Sequence, residues 1–346
     1  MRSPVLAVAA VALAAACSSS EPAAPTAASP APSSSPTPAI SSSPSPTPSA
    51  TPSAAATALR PTDVTFVSAR HGWVVERGHL ETTTDAGQTW TALPPAPAPV
   101  TQVRFASDLI GYAWVAEGPL WVTRDGGLSW RDGRLAHVQQ LEVAAGTAWA
   151  LAGPSPYPGV WRAAVGADRF ERLGMTPNRS GSLTVHGDTA YIVGDQGAGP
   201  IAGSIDVRHG TGVRNVPLPC RGPQVYVPFA RLGVATDGRV LLACIPDTAT
   251  QPLRAYLSGD EARTWTATAP PPEAPAGVTA IRKELFAWGR DVQMQESGRW
   301  STVLAGPSKG FALVGFQDDT HGVALGRNGA LHLTSDGGRT WTTAAL

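Results

Sequence analysis

Apolar positions fall into two regimes along the chain. An unbroken apolar run from Val5 to Ala16 gives way to a tract, residues 18–58, made almost only of Ser, Pro, Ala and Thr. After residue 61 the apolar positions come in short clusters separated by Gly, Asp and Ser, and no long stretch keeps a helical period. Seven of these clusters open on small or turn residues: Gly72-Trp73-Val74-Val75, Gly111-Tyr112-Ala113-Trp114, Ala148-Trp149-Ala150-Leu151, Ala190-Tyr191-Ile192-Val193, Gly238-Arg239-Val240-Leu241-Leu242, Leu285-Phe286-Ala287-Trp288 and Gly322-Val323-Ala324-Leu325. Each predicts the central strand, B, of one unit in a set of seven.

An octet recurs between the clusters. Thr83-Thr84-Asp85-Ala86-Gly87-Gln88-Thr89-Trp90 is the first copy and Thr123-Arg124-Asp125-Gly126-Gly127-Leu128-Ser129-Trp130 the second. Ser258-Gly259-Asp260-Glu261-Ala262-Arg263-Thr264-Trp265 follows with Ala262 in the Gly place, and Thr334-Ser335-Asp336-Gly337-Gly338-Arg339-Thr340-Trp341 is the last. This is the chemistry of a turn between two strands. The Asp carboxylate accepts backbone N–H groups a few residues on, Gly supplies positive φ, and Ser or Thr with Trp opens the next strand.

Tandem octets of this form resemble the Asp-box, or BNR repeat, of sialidase-like β-propellers. Spacing locates the degenerate copies. Trp90 and Trp130 are 40 residues apart, and a further 40 reaches Phe170; Trp265, Trp300 and Trp341 are separated by 35 and 41. One more unit fits near Val213–Pro217. The expected fold is therefore all-β: a seven-bladed β-propeller of four-stranded antiparallel blades over residues 61–346, preceded by a signal segment and a disordered linker. Blade 1 reads as strands Val64–Ser68, Gly72–Glu76, His79–Thr83 and Gln88–Leu93.

Composition sharpens the division. Residues 1–60 hold 11 of the 33 Pro and none of the 36 Gly, and their only charges are Arg2, Glu21 and Arg60. Arg2 and the apolar run have the shape of a secretory signal, residues 1–16. Leu13-Ala14-Ala15-Ala16-Cys17 resembles a bacterial lipobox, which implies lipidation of Cys17, although Leu13 stands one place further from the Cys than usual; cleavage by an ordinary signal peptidase is the alternative. Residues 17–60 cannot bury enough apolar area to fold and read as a Pro-stiffened tether. The expected location is the outer face of the bacterial cytoplasmic membrane through a lipid anchor, or otherwise outside the cell as a secreted protein. No apolar run approaches the ~18 residues of a spanning helix, so membrane contact is expected only through the lipid.

Residues 61–346 carry 24 Lys and Arg against 25 Asp and Glu, which argues against nucleic acid as a partner. The seven His show no metal-ligand spacing, so neither a metal nor a cofactor is expected. The octet carboxylates Asp85, Asp125, Asp260 and Asp336, with Gly87, Gly127, Gly338, Trp90, Trp130, Trp265 and Trp341, read as structural turn residues. The loops joining strands B and C are longest in blades 3–5, and Tyr157, Asp195, Gln196, Asp247 and Gln251 on them form a candidate binding rim. Cys220 and Cys244 fall near the same face; in an exported chain they are expected to pair, the alternative being two separate buried thiols.

The sialidase resemblance implies an Arg triad, a Tyr–Glu pair and an acidic Asp, and no such set assembles here; Arg70, Arg104 and Arg282 sit in or after first strands without a clear role. A second resemblance rests on Phe66-Val67-Ser68…Gly72-Trp73, Phe105-Ala106-Ser107…Gly111-Tyr112 and Phe316-Gln317-Asp318…Gly322-Val323. These resemble the photosystem II stability and assembly factor family and its bacterial relatives, which implies protein binding or assembly. The expectation is a monomeric, non-catalytic binding or scaffold module with an envelope protein or glycan as partner. The alternative is an exo-acting, sialidase-like glycoside hydrolase using the central face.

Overall fold

A computed structural model describes residues 59–154, 158–175, 181–194, 204–220, 229–246 and 252–346. The strands lie within one compact unit, Ala56–Leu346. They form seven sheets, each of four strands consecutive in sequence and antiparallel throughout. Among the described residues there is no helix. The architecture is a seven-bladed β-propeller.

Blade 1 comprises β1 (Asp63–Phe66), β2 (Gly72–Glu76), β3 (His79–Thr83) and β4 (Thr91–Ala92). Blade 2 comprises β5 (Gln102–Phe105), β6 (Gly111–Trp114), β7 (Leu120–Thr123) and β8 (Arg131–Asp132). Blade 3 comprises β9 (Val138–Ala144), β10 (Thr147–Ala152), β11 (Gly159–Ala164) and β12 (Glu171–Met175). Blade 4 comprises β13 (Gly181–His186), β14 (Thr189–Gly194), β15 (Ser204–His209) and β16 (Gly212–Pro217). Blade 5 comprises β17 (Phe229–Val234), β18 (Val240–Ile245), β19 (Arg254–Ser258) and β20 (Thr266–Thr268). Blade 6 comprises β21 (Gly277–Ile281), β22 (Glu284–Trp288), β23 (Val292–Glu296) and β24 (Arg299–Leu304). Blade 7 comprises β25 (Phe311–Phe316), β26 (Gly322–Gly326), β27 (Leu331–Thr334) and β28 (Thr342–Thr343).

The core consists of seven hydrophobic clusters, one at each seam between neighbouring blades. The strand pleat explains how one strand serves two seams. Successive side chains of β2 point to opposite faces, so Trp73 and Val75 join the cluster shared with blade 2 while Val74 joins the one shared with blade 7. The same alternation sends Tyr112 and Trp114 of β6 toward blade 3 and Ala113 toward blade 1. A second strand sandwiched in this way is apolar on both faces. That is why all seven were recognisable as continuous apolar clusters.

The strand ends differ from expectation in two places, each for a local reason. The outer strand of blade 1 is Thr91–Ala92 rather than Gln88–Leu93. The N–H groups of Gln88 and Thr89 donate to Asp85 Oδ1 at 3.0 and 2.9 Å, which removes them from the ladder. The inner strand stops at Phe66 rather than Ser68, because Ser68 Oγ accepts the N–H groups of Arg70 and His71 in a turn.

Candidate functional site

The four octets share one hydrogen-bond pattern. The leading hydroxyl of Thr83, Thr123, Ser258 or Thr334 donates to the Asp Oδ1 at 2.8–2.9 Å. The same hydroxyl accepts the N–H of Gly87, Gly127, Ala262 or Gly338 at 2.9 Å. Asp Oδ2 accepts the hydroxyl of Thr89, Ser129, Thr264 or Thr340 at 2.5–2.6 Å. The Thr89 hydroxyl first, then its N–H and the Thr83 hydroxyl, hold the Asp85 carboxyl down at about 2. Asp125 is lowered chiefly by Ser129, and Asp260 chiefly by Thr264; for Asp336, burial pushes upward and the Thr340 bonds outweigh it. The carboxylates are occupied within their own turns. Trp265, Trp130 and Trp341, of blades 5, 2 and 7, pack as partly buried members of the seams with blades 4, 1 and 6.

Cys220 and Cys244 are joined by a disulfide, with Cα atoms 6.3 Å apart, inside the seam cluster of blades 4 and 5. The five rim residues, Tyr157, Asp195, Gln196, Asp247 and Gln251, lie outside the described residues, as does Cys17.

The innermost strands of all seven blades line a central cavity of about 480 Å³. Its chemistry concentrates on blades 1–3. Arg104 on β5 donates from Nη1 to Asp63 Oδ2 on β1 at 3.1 Å and from Nε to Glu142 Oε2 on β9 at 3.4 Å. Val103 N–H donates to the same Asp63 oxygen at 2.9 Å. Gln140 donates to Glu142 Oε1 at 3.3 Å and exchanges bonds with the backbone of Leu183 on β13, giving to its carbonyl at 2.7 Å and taking its N–H at 2.8 Å. The chain of contacts therefore ties four successive blades together across the cavity wall.

Burial pushes the Asp63 carboxyl up, opposed by the Arg104 charge and the Val103 N–H. Burial also works against the charge of Arg104, but the Asp63 and then the Glu142 carboxylates outweigh it and raise its pKa. The guanidinium is thus held charged between two carboxylates. Arg231 on β17 also lines the cavity and donates from Nε to the Ala276 carbonyl at 2.9 Å. Of the other arginines considered from sequence, Arg282 is exposed and pairs with Asp319 at 2.5 Å, away from the cavity lining. Asp63, Gln140 and Glu142 were not singled out from sequence. The one signal available was a polar residue between apolar ones on an inner strand, as Gln140 and Glu142 flank Leu141 in Val138-Gln139-Gln140-Leu141-Glu142.

Two of the described tyrosines are taken up in the core. Tyr112 is buried and accepts the Gly166 N–H at 2.7 Å, and burial raises its pKa. Tyr191 is buried and pushed up to about 12. Among the described residues no group of three or more His, Cys, Asp or Glu is placed to hold a metal ion.

No family model and no curated protein matches the chain. Several solved structures are similar. An ancestral GH74 enzyme gives a TM-score of 0.60 at 11% identity, over 84% of this chain and 48% of that one. The WD40 β-propeller domain of Doa1 gives 0.53 at 15% identity, over 80% of this chain and 90% of that one. YCF48 from Cyanidioschyzon merolae gives 0.47 at 18% identity, over 70% of this chain and 83% of that one. At these identities the likeness is one of fold.

Proposed function

We propose that this chain is a non-catalytic binding or scaffold module of the bacterial envelope. It is exported, anchored through a lipid on Cys17, and held off the membrane by the Pro-rich tether. The partner is an envelope protein or glycan that meets the propeller as a rigid platform.

The observation that carries this reading is the position of Arg104. A glycoside hydrolase that works with two carboxylates keeps the space between them for substrate and water. Here Glu142, the one carboxylate among the described lining residues, and the buried Asp63 behind the wall both bond to one guanidinium, that of Arg104. That arrangement pairs both carboxylates with one cation and ties blades 1–3 together, so neither of them is a free acid. The fold likeness to a GH74 enzyme does not carry activity across, because chemistry resides in sites rather than folds.

A panel of fluorogenic glycosides on the purified full chain tests the reading. No turnover above blank is expected. Turnover that Glu142→Gln abolishes while the fold is kept rejects it. Crosslinking in living cells, followed by recovery of the chain, should return a reproducible envelope partner. For the anchor, metabolic palmitate labelling is expected on wild type and absent on Cys17→Ala; an unlabelled wild type rejects lipidation.

A further inference from the structure

A groove of about 450 Å³ opens at the seam between blade 7 and blade 1, on the face that carries the octet turns. Its floor is apolar, formed by Phe66 and Leu333, and its walls carry the neutral polar groups of Gln88, Ser335 and Thr342. Among the described residues no Arg, Lys, Asp or Glu lines it.

The groove has an identifiable origin in the repeat. Three residues after its Trp, blade 1 has Leu93, and blade 7 has Ala344. At the seam of blades 1 and 2, Leu93 occupies the space under the octet: a Cβ on Gly127 would lie 2.9 Å from Leu93 Cδ1. At the seam of blades 7 and 1 the corresponding neighbour of Gly87 is Ala344, whose Cβ would be 3.3 Å away. Replacing a Leu by an Ala at one seam withdraws three carbons from it and leaves the hollow. A polar group at the inner end of the groove also lacks a partner. Gln317 lies between this groove and the central cavity, lining both, and keeps its Oε1 buried without a donor. A buried acceptor without a partner is costly, and a hydroxyl would satisfy it.

We propose that this seam groove is a binding site for a neutral, hydroxyl-rich ligand, specifically a segment of uncharged oligosaccharide. An aromatic and aliphatic floor suits the apolar face of a pyranose ring. Neutral hydroxyl and amide walls suit its hydroxyls, and the lack of lining Arg, Lys, Asp or Glu disfavours strongly charged ligands; His321, the one titratable side chain on the lining, is already paired with Asp318 at 2.9 Å. The volume lies within the ordinary range for small-ligand sites, roughly 300–1,000 Å³. The groove shares Phe66 and Gln317 with the central cavity, but neither Arg104 nor Glu142 lines it.

The test is saturation-transfer NMR and calorimetry on the full chain with maltohexaose, cellohexaose and mannohexaose. An alginate hexasaccharide and a synthetic peptide of residues 41–52 serve as competitors. At least one neutral hexasaccharide is expected to bind with about millimolar affinity. Ala344→Leu refills the hollow with the residue blade 1 uses, so it should fold and melt no lower than wild type, and it should weaken binding at least about tenfold. If that variant does not fold, Gln88→Trp blocks the groove from an exposed position and takes its place. Val213→Ser, an exposed change on blade 4 outside the groove lining, should leave the binding unchanged. The proposal is overturned if none of the neutral sugars binds, if the anionic sugar or the peptide binds in their place, or if groove-filling variants bind as wild type does.

Discussion

The indole N–H of Trp90 donates to the carbonyl of Ala345 at 3.1 Å, across 255 residues of sequence. The bond joins the first octet turn to the residues following the last strand. Beside it, Val64 and Val74 of blade 1 pack with Val323, Leu325 and Leu331 of blade 7. Every sheet consists of four consecutive strands, so the ring closes through this seam without exchanging a strand.

Trp90→Phe should therefore lower stability by about 1 kcal/mol more than Trp130→Phe. Both changes remove similar volume from the same octet position. Trp130 Nε1, unlike that of Trp90, is buried without a partner, so its loss sacrifices no bond. Urea unfolding midpoints of the two variants decide the order, and equal losses would show that the seam bond contributes nothing.

Acid should weaken the propeller between about pH 4 and pH 2. Asp85 has its carboxyl lowered from the usual 3.8 to about 2, and Asp125, Asp260 and Asp336 are lowered as well. A carboxyl depressed in the folded state stabilises above its unfolded pKa, and that contribution is lost as pH falls through the folded value. Asp63, raised by burial, has the opposite sign and offsets part of the loss. Melting temperatures at pH 7, 4, 3 and 2 should fall most steeply over the last two steps, and Asp85→Asn should flatten that fall.

Arg104→Met should cost about 3 kcal/mol, because it leaves Asp63 buried and Glu142 partly buried without their cation. The same change made together with Asp63→Asn and Glu142→Gln should cost distinctly less. Denaturant titrations of the single and triple variants check this. Equal losses would mean that Arg104 acts through packing alone.

Two octet glycines should respond differently to an added methyl. Gly87 and Gly338 have φ values of 77° and 80°, so either Ala substitution incurs the left-handed cost of about 1–2 kcal/mol. At Gly338 the new Cβ would also lie 2.7 Å from Phe286 Cε1, whereas at Gly87 the nearest atom is 3.3 Å away. Gly338→Ala should thus be the more destabilising by about 1 kcal/mol or more. Thermal unfolding of the pair reads the difference. Ala262, at φ 64° in the third octet, shows that the methyl alone is tolerated.

The blades were legible because their signals are local. The octet holds its partners within four residues, and a second strand sandwiched between two seams is apolar on both faces, as β2 is from Gly72 to Glu76. The degenerate blade 4 could still be placed by spacing, and its outer strand, Gly212–Pro217, falls where the missing repeat fits. The channel wall was not legible in the same way. Asp63, Arg104 and Glu142 stand about one blade apart in sequence, and each alone reads as an ordinary charged residue. Only the side-by-side packing of blades 1, 2 and 3 brings them to one guanidinium. The seam groove is intermediate: alignment of the repeats sets Ala344 against Leu93, but whether a neighbour refills the space depends on packing.

The octets also determine how long the outermost strands are. Because each Asp takes N–H groups at the start of the next strand, β4, β8 and β28 have 2 residues and β20 has 3. Where the octet has degenerated, β12 has 5 residues and β16 and β24 have 6. A long open edge is a template for another chain, and a two-residue edge is not. Met175 on β12 and Val213 on β16 are also the exposed large apolar residues of this rim, at 53% and 52%. Strand-to-strand self-association, where it begins, should begin at blades 3 and 4; an intact octet protects a blade from aggregation as well as bracing its turn.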